Sequence, residues 1–167
     1  VVDLRSERLD IRGELRSPLA GFSVLRLRVG VTDYVHDEVE DGAISTTFKN
    51  KAYDTRIELQ HEPVAGFKGL IGLQTSQRKF SADGDEAYVQ PTITRKLGLF
   101  ALEEYRLNNW HGDWRFEAAL RHDRQTATAQ TSEIERSHNG TSASLGAVWK
   151  FRPGYQVGTS LTRASRA

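Results

Sequence analysis

The 167-residue chain contains no cysteine, no methionine and only four prolines. Without cysteine there is no disulfide, no thiol nucleophile and no thiolate metal site, which leaves imidazole and carboxylate as the available metal ligands. Without a start methionine the N-terminus reads as processed or truncated, and its opening segment VVDLRSERLD has no apolar signal-peptide core. No stretch of about 18 apolar residues exists, and mean hydropathy is −0.54, which excludes transmembrane helices. Transmembrane β-strands stay open, because alternating lipid-facing and water-facing residues average to a soluble hydropathy. A dominant charge is lacking too: 23 Lys and Arg stand against 22 Asp and Glu, so there is no global attraction to nucleic acid or anionic lipid. This length suits one structural unit.

What is present is alternation with a period of two. Leu25, Leu27, Val29 and Val31 fall on one face, and Arg26, Arg28, Gly30 and Thr32 on the other. Leu9, Ile11 and Leu15 oppose Arg8, Asp10, Arg12 and Glu14, and Tyr53, Thr55, Ile57 and Leu59 oppose Asp54, Arg56, Glu58 and Gln60. Trp114, Phe116, Ala118 and Leu120 oppose Arg115, Glu117, Arg121 and Asp123, and two further runs end at Phe151 and Leu161. Residues 67–80 and 93–107 carry apolar groups on both faces and resist orientation. No segment has a helical stripe.

The segment SPLAGF at residues 17–22 returns as EPVAGF at 62–67, with Pro63 45 residues after Pro18; Asn108 and Pro153 continue the period. Each marks a short turn, and longer polar loops are expected at 36–48, 81–92 and 125–141. The unit of strand, long loop, strand and short turn gives eight antiparallel strands of about 12 to 15 residues. These exceed the usual five or six and suffice for the 9 to 11 that cross a bilayer.

Nine aromatics lie near the short turns (Phe22, Phe67, Tyr105, Trp110, Trp114, Phe116, Trp149, Phe151, Tyr155) and five near the long loops (Tyr34, Phe48, Tyr53, Phe80, Tyr88), with Phe100 in mid-strand. Two such belts around aliphatic residues match the girdles of an outer-membrane barrel; a soluble β-sandwich with aromatic caps is the rival. The charged face adds a constraint, because the interior of an eight-stranded barrel only just holds side chains. Seven cations and six anions there are costly to bury. The eight strands therefore read as an arc of something wider.

Several segments resemble the TonB-dependent outer-membrane receptors. VTDYVHDEVEDG (residues 31–42) is similar to their strand end and loop with an Asp-Tyr-x-His-x-Glu pattern, and LGLFALEEYRLNNW (97–110) to a strand entering a periplasmic turn. WRFEAALRHD (114–123) resembles their Leu-Glu-x-Gly-x-Arg-Tyr-Asp strand, with Ala119 for Gly and His122 for Tyr. FRPGYQVGTSLTRASRA resembles the approach to an Arg-Ala-Pro-Thr segment, which this chain leaves at Arg166 and Ala167.

The resemblance implies an all-β fold, about eight antiparallel up-and-down strands (four hairpins) of a 22-stranded transmembrane barrel, with neither plug nor TonB box in residues 1–167. It implies uptake across the outer membrane of a Gram-negative bacterium, with a metal ion or a siderophore, haem or zinc chelate as cargo and no enzymatic activity. Partners would be outer-membrane lipid, the receptor's own plug and remaining strands, and TonB through the absent N-terminal part. Arg26, Arg28, Arg56, Glu58, Arg115, Glu117, Arg121 and Asp123 would face the lumen. The rival functions are a self-contained eight-stranded outer-membrane barrel or a soluble β-sandwich with a structural or adhesive role.

One constellation carries metal-ligand chemistry: His36, Asp37, Glu38, Glu40 and Asp41, read as an acidic loop that recruits a metal or chelate at the outer surface. A solvated charge run is the plainer reading. Asp83-Gly84-Asp85-Glu86 lacks the later glycine and glutamate of a calcium loop, and Asn139-Gly140-Thr141 is a polar loop. His61, His111, His122 and His138 are scattered. No hydrolase or phosphate-binding motif is present, and nothing activates the hydroxyl of Ser137 beside His122 and Asp123. Arginines alternate with acids on one face, which argues against nucleic acid.

Overall fold

The computed structural model describes residues 1–85, 87–109 and 111–165; Glu86, Trp110, Arg166 and Ala167 lie outside it. Alternation gives eight strands: β1 Val2–Leu19, β2 Phe22–Glu40, β3 Ala43–His61, β4 Phe67–Gly84, β5 Thr92–Asn109, β6 Gly112–Ala129, β7 Glu135–Arg152 and β8 Tyr155–Arg163. They form one antiparallel sheet in sequence order, up and down, with β1 and β8 at its edges. The expected all-β, four-hairpin arrangement is therefore present. A sandwich would need a second layer and a closed small barrel a β1–β8 seam, and the described sheet has neither.

The strands are longer than expected, 18 or 19 residues each except for the nine of β8. The difference lies at the expected long loops. Residues 36–48 are mostly paired strand, with Val39 opposite Ile44 and Glu40 opposite Ala43. The chain reverses at Asp41 (φ 49°) and Gly42 (φ 81°), a two-residue turn with both residues left-handed, which suits the right-handed strand twist. Longer connections survive between Gly84 and Thr92 and between Ala129 and Glu135.

Register sorts the side chains. Pairs such as Leu25–Leu59, Leu59–Ile71, Ile71–Ala101 and Ala101–Leu120 share one face. Pairs such as Glu14–Arg26, Arg26–Glu58, Arg56–Gln74, Gln74–Gly98 and Gly98–Asp123 share the other. The apolar face has no protein layer over it: Leu9, Ile11, Ile71, Leu99, Leu120 and Leu145 are each more than half exposed, and among the described residues Ala82 is the one buried apolar side chain. A sheet with that much uncovered hydrocarbon needs an apolar solvent.

At the short-turn end the same face carries a continuous aromatic row. Phe67 meets Tyr105 (4.7 Å between centroids), Tyr105 meets Phe116 (6.5 Å), Phe116 meets Trp114 (5.7 Å) and Trp114 meets Trp149 (5.1 Å). Phe151 and Tyr155 extend it. The second belt does not exist as such. Tyr34, Phe48 and Phe80 share the parity of Asn50, Asp54 and Arg56 and stand on the polar face, so only Tyr53 of the strand-borne group remains on the apolar one. Above the aliphatic band the apolar-face parity turns charged, at Arg5, Glu7, Asp33, Lys51 and Lys79. Each full strand is about 60 Å long, against a band about 25 Å tall in outer-membrane barrels, so the strands rise well beyond the lipid.

The two strands that resisted orientation are also explained. Leu70, Leu102 and Ala119 pair across β4, β5 and β6 as an apolar island on the polar face, next to Phe100.

Candidate functional site

The polar face holds two zones. In mid-sheet, strand parity puts residues i and i+2 side by side, and the recurrent pattern of arginine, any residue, acid becomes a series of ion pairs along single strands. Arg56 donates to Glu58 at 2.6 Å, Arg115 lies 3.1 Å from Glu117, and Arg121 grips Asp123 with bonds of 2.7 and 2.6 Å. Arg26 reaches Glu14 across the strand pair at 3.1 Å. Arg26, Arg28, Arg56, Glu58, Arg115, Glu117, Arg121 and Asp123 share this one face of the sheet.

Glycines let this lattice cross strands. A Cβ at Gly72 would collide with the Phe100 ring, and one at Gly98 with Arg121 and Asp123. Over Gly72, the Arg56 guanidinium of β3 stacks on Phe100 of β5, 4.2 Å from the ring centroid. Over Gly98, Arg121 of β6 reaches Gln74 of β4 at 3.3 Å, and Gln74 donates to Asp54 at 3.0 Å. The result is a braced surface rather than a set of free charges.

The second zone lies toward the Asp41–Gly42 turn. The His36 ring stacks on Phe48 (4.5 Å, 14°), Tyr34 meets His36 edge-on (5.5 Å, 72°) and Phe80 lies 6.4 Å beyond Phe48. His36 Nδ1 and Asn50 Oδ1 are buried without a hydrogen-bond partner among the described residues. A buried polar atom without a partner carries an unmet desolvation cost. Sequence reading misses the three aromatics beside His36 because it places them in a lipid belt; their parity with Asn50 and Asp54 is the signal that finds them.

The five residues expected to cluster around a metal are divided. His36 Nε2 lies 4.0 Å from Glu38 on the polar face. Asp37 has the opposite parity and accepts a 2.6 Å bond from Thr47. Glu40 ends β2 and Asp41 lies in the turn. Among the described residues no three His, Asp or Glu side chains are grouped to hold a metal ion. The rim residues weighed for catalysis are also split, His122 bonding Thr141 on the apolar face while Asp123 holds Arg121 on the polar one.

A protein-family model described as "TonB dependent receptor-like, beta-barrel" matches residues 7–167. The chain belongs to this family. TonB-dependent receptors are outer-membrane transporters, not enzymes, and in general combine the barrel with a plug domain and TonB contact. The apolar face with its aromatic row is what a receptor barrel presents to lipid.

Proposed function

We propose that this chain is an arc of the barrel wall of a TonB-dependent receptor in a Gram-negative outer membrane, and that the receptor imports a metal chelate. The observation that carries the reading is the division of one sheet into an uncovered apolar face with an aromatic row and a braced, charged face. The charged face lines the lumen, toward the plug and the solute path, and the eight strands are part of a wider barrel. Energy reaches the receptor through TonB contacts made elsewhere in the protein.

A chelate fits better than a bare ion. Among the five expected ligands, His36 and Glu38 alone share a face within reach of one site, too few for a closed metal site, whereas the cluster of Tyr34, His36, Phe48 and Phe80 offers aromatic surface for a planar or aromatic chelator.

Residues 1–167 hold no cysteine, so in a receptor cleared of any cysteine elsewhere an introduced one is a unique label. Spin labels at Leu99→Cys and Ser76→Cys in the full receptor in lipid should respond to oxygen at 99 and to a water-soluble nickel chelate at 76; equal accessibility of both would overturn the face assignment. For cargo, haemin and zinc ion should be titrated separately. The chelate reading expects haemin binding that weakens at least tenfold in His36→Ala, and tight zinc binding with no haemin binding would sink it.

A further inference from the structure

Glu103 of β5 stands on the apolar face, where register sets Gly69 and Ala118 beside it and strand parity sets Ala101 on its long-loop side and Tyr105 on its short-turn side. Phe67 and Phe116 flank Tyr105 in that next row, so three rings lie beside the carboxylate, with centroids 4.7 Å and 6.5 Å apart from neighbour to neighbour. Small neighbours leave the Glu103 side chain 43% exposed, on a face with no protein layer over it. A carboxylate turned toward lipid is destabilising unless a group of opposite charge meets it.

The protein meets part of that need. His61 reaches the carboxylate from β3, and among the described residues it is the one polar side chain that does. A carboxylate has about four acceptor positions, and an imidazole nitrogen fills at most one or two of them. On β4, β5 and β6 the cations of the same face, Lys79, Arg95 and Arg124, lie about 20 Å or more along the strands toward the other end. Close to Glu103 the aromatic row also breaks. The positions after Phe116 are Ala147 on β7 and Thr159 on β8, between Trp149 in one adjoining row and Leu145 and Leu161 in the other. The break is an outward-facing groove of about 420 Å³ that runs from Glu103 and Phe67 to Leu161.

We infer that Glu103, the rings of Phe67, Tyr105 and Phe116 and the adjoining groove form a site for a phospholipid whose headgroup ends in a primary ammonium group, held at the short-turn end of the barrel. The ammonium donates charge-assisted hydrogen bonds to the carboxylate positions that His61 leaves open, and it lies against the negative faces of the rings. An acyl chain fills the groove over Ala147 and Thr159, where a larger side chain would close it. Glu103 repels an anionic headgroup, and a quaternary ammonium has no hydrogen to donate. The inference rests on the proposed exposure of this face to lipid, and it goes beyond that reading by making one lipid position selective.

The test is native mass spectrometry of the full receptor, folded in detergent and titrated separately with phosphatidylethanolamine, phosphatidylglycerol and phosphatidylcholine of identical chains. The first phosphatidylethanolamine should bind roughly fivefold or more tightly than either of the others. Glu103→Gln, which keeps the size and loses the charge, should abolish that preference, as should Ala147→Phe, which carries the aromatic row across the groove. Glu104→Gln is the control: its carboxylate lies on the polar face, bonded by Arg106 at 2.6 Å, and the preference should survive there. Equal binding of the three lipids by the original receptor, or a preference kept in Glu103→Gln or in Ala147→Phe, overturns the site. So does loss of the preference in Glu104→Gln, which would place its origin outside the groove. Heat-modifiable migration of each sample reports barrel formation, and the labels at 99 and 76 report the face, so a failed lipid site is distinguishable from a failed receptor reading.

Discussion

His61 Nε2 lies 3.2 Å from both carboxylate oxygens of Glu103, two strands away, over the bare backbone of Gly69. The pair stands on the apolar face, one row inside the aromatic belt, where an isolated carboxylate would be costly. His61 Nδ1 faces the Glu62 carbonyl at 2.6 Å, and a carbonyl only accepts. That nitrogen therefore carries hydrogen, and the other ring nitrogen is turned toward the Glu103 carboxylate.

This geometry makes Gly69 a spacer. A Cβ there would collide with the Leu102 carbonyl oxygen and the Glu103 carboxyl group, so Gly69→Ala must displace Glu103 from His61. The expected loss is about 1 to 3 kcal/mol of stability, read as a lower urea midpoint for the receptor refolded in vesicles. An unchanged midpoint would mean that Glu103 needs no passage over β4.

Coupling between the two partners is separable from that strain. His61→Ala and Glu103→Ala, singly and together, should give a double-mutant interaction energy of about 1 kcal/mol, since the double variant leaves no unpaired group at the lipid interface. Additive effects would show the contact to be incidental.

The aromatic row should anchor the barrel at one interface. Trp149 stacks on Trp114 at 8° between planes and donates from its indole nitrogen to the His111 carbonyl at 3.0 Å. Trp149→Ala loses both, and about 1 to 2 kcal/mol of stability in lipid should go with them. Trp149→Phe, which keeps the stack and loses the hydrogen bond, should lose less. Equal losses in the two would shift the weight to the hydrogen bond.

Much of this is legible in the sequence because strand parity is strict. The Arg-x-acid spacing of Arg56 with Glu58, Arg115 with Glu117 and Arg121 with Asp123 is enough by itself to place each pair on one face. Parity fails as a guide wherever composition overrides it. Residues 36–48 look like a loop because they are charged, yet Asp41-Gly42 is a strong two-residue hairpin signal, and charges on both faces are natural where strands rise out of lipid. Tyr34, Phe48 and Phe80 lie close to the loops along the chain, and only their partners in register assign them to the polar face. Leu70, Leu102 and Phe100 mask the period of β4 and β5 because the polar face has its own apolar island. Glu103 could not be foreseen: its partner is 42 residues away, and only the register brings Gly69 between them.

The Asp41–Gly42 turn offers a check on that correction. Gly42 has φ 81°, which a side chain adopts at a cost of about 1 kcal/mol, so Gly42→Ala should destabilise the β2–β3 hairpin by about that amount. Gly13, with open space around its Cβ position, is the neutral control. Faster amide exchange confined to residues near 36–48 is the expected readout.

Since each strand pairs only with its neighbours in sequence, no hairpin depends on a distant one for its register. Inserting or deleting one 45-residue unit would then alter circumference while leaving every remaining pair intact. Girth in such a wall is set by counting, and bore size can change by gene duplication in steps of two strands, with redesign confined to the side-chain contacts that cross the junction.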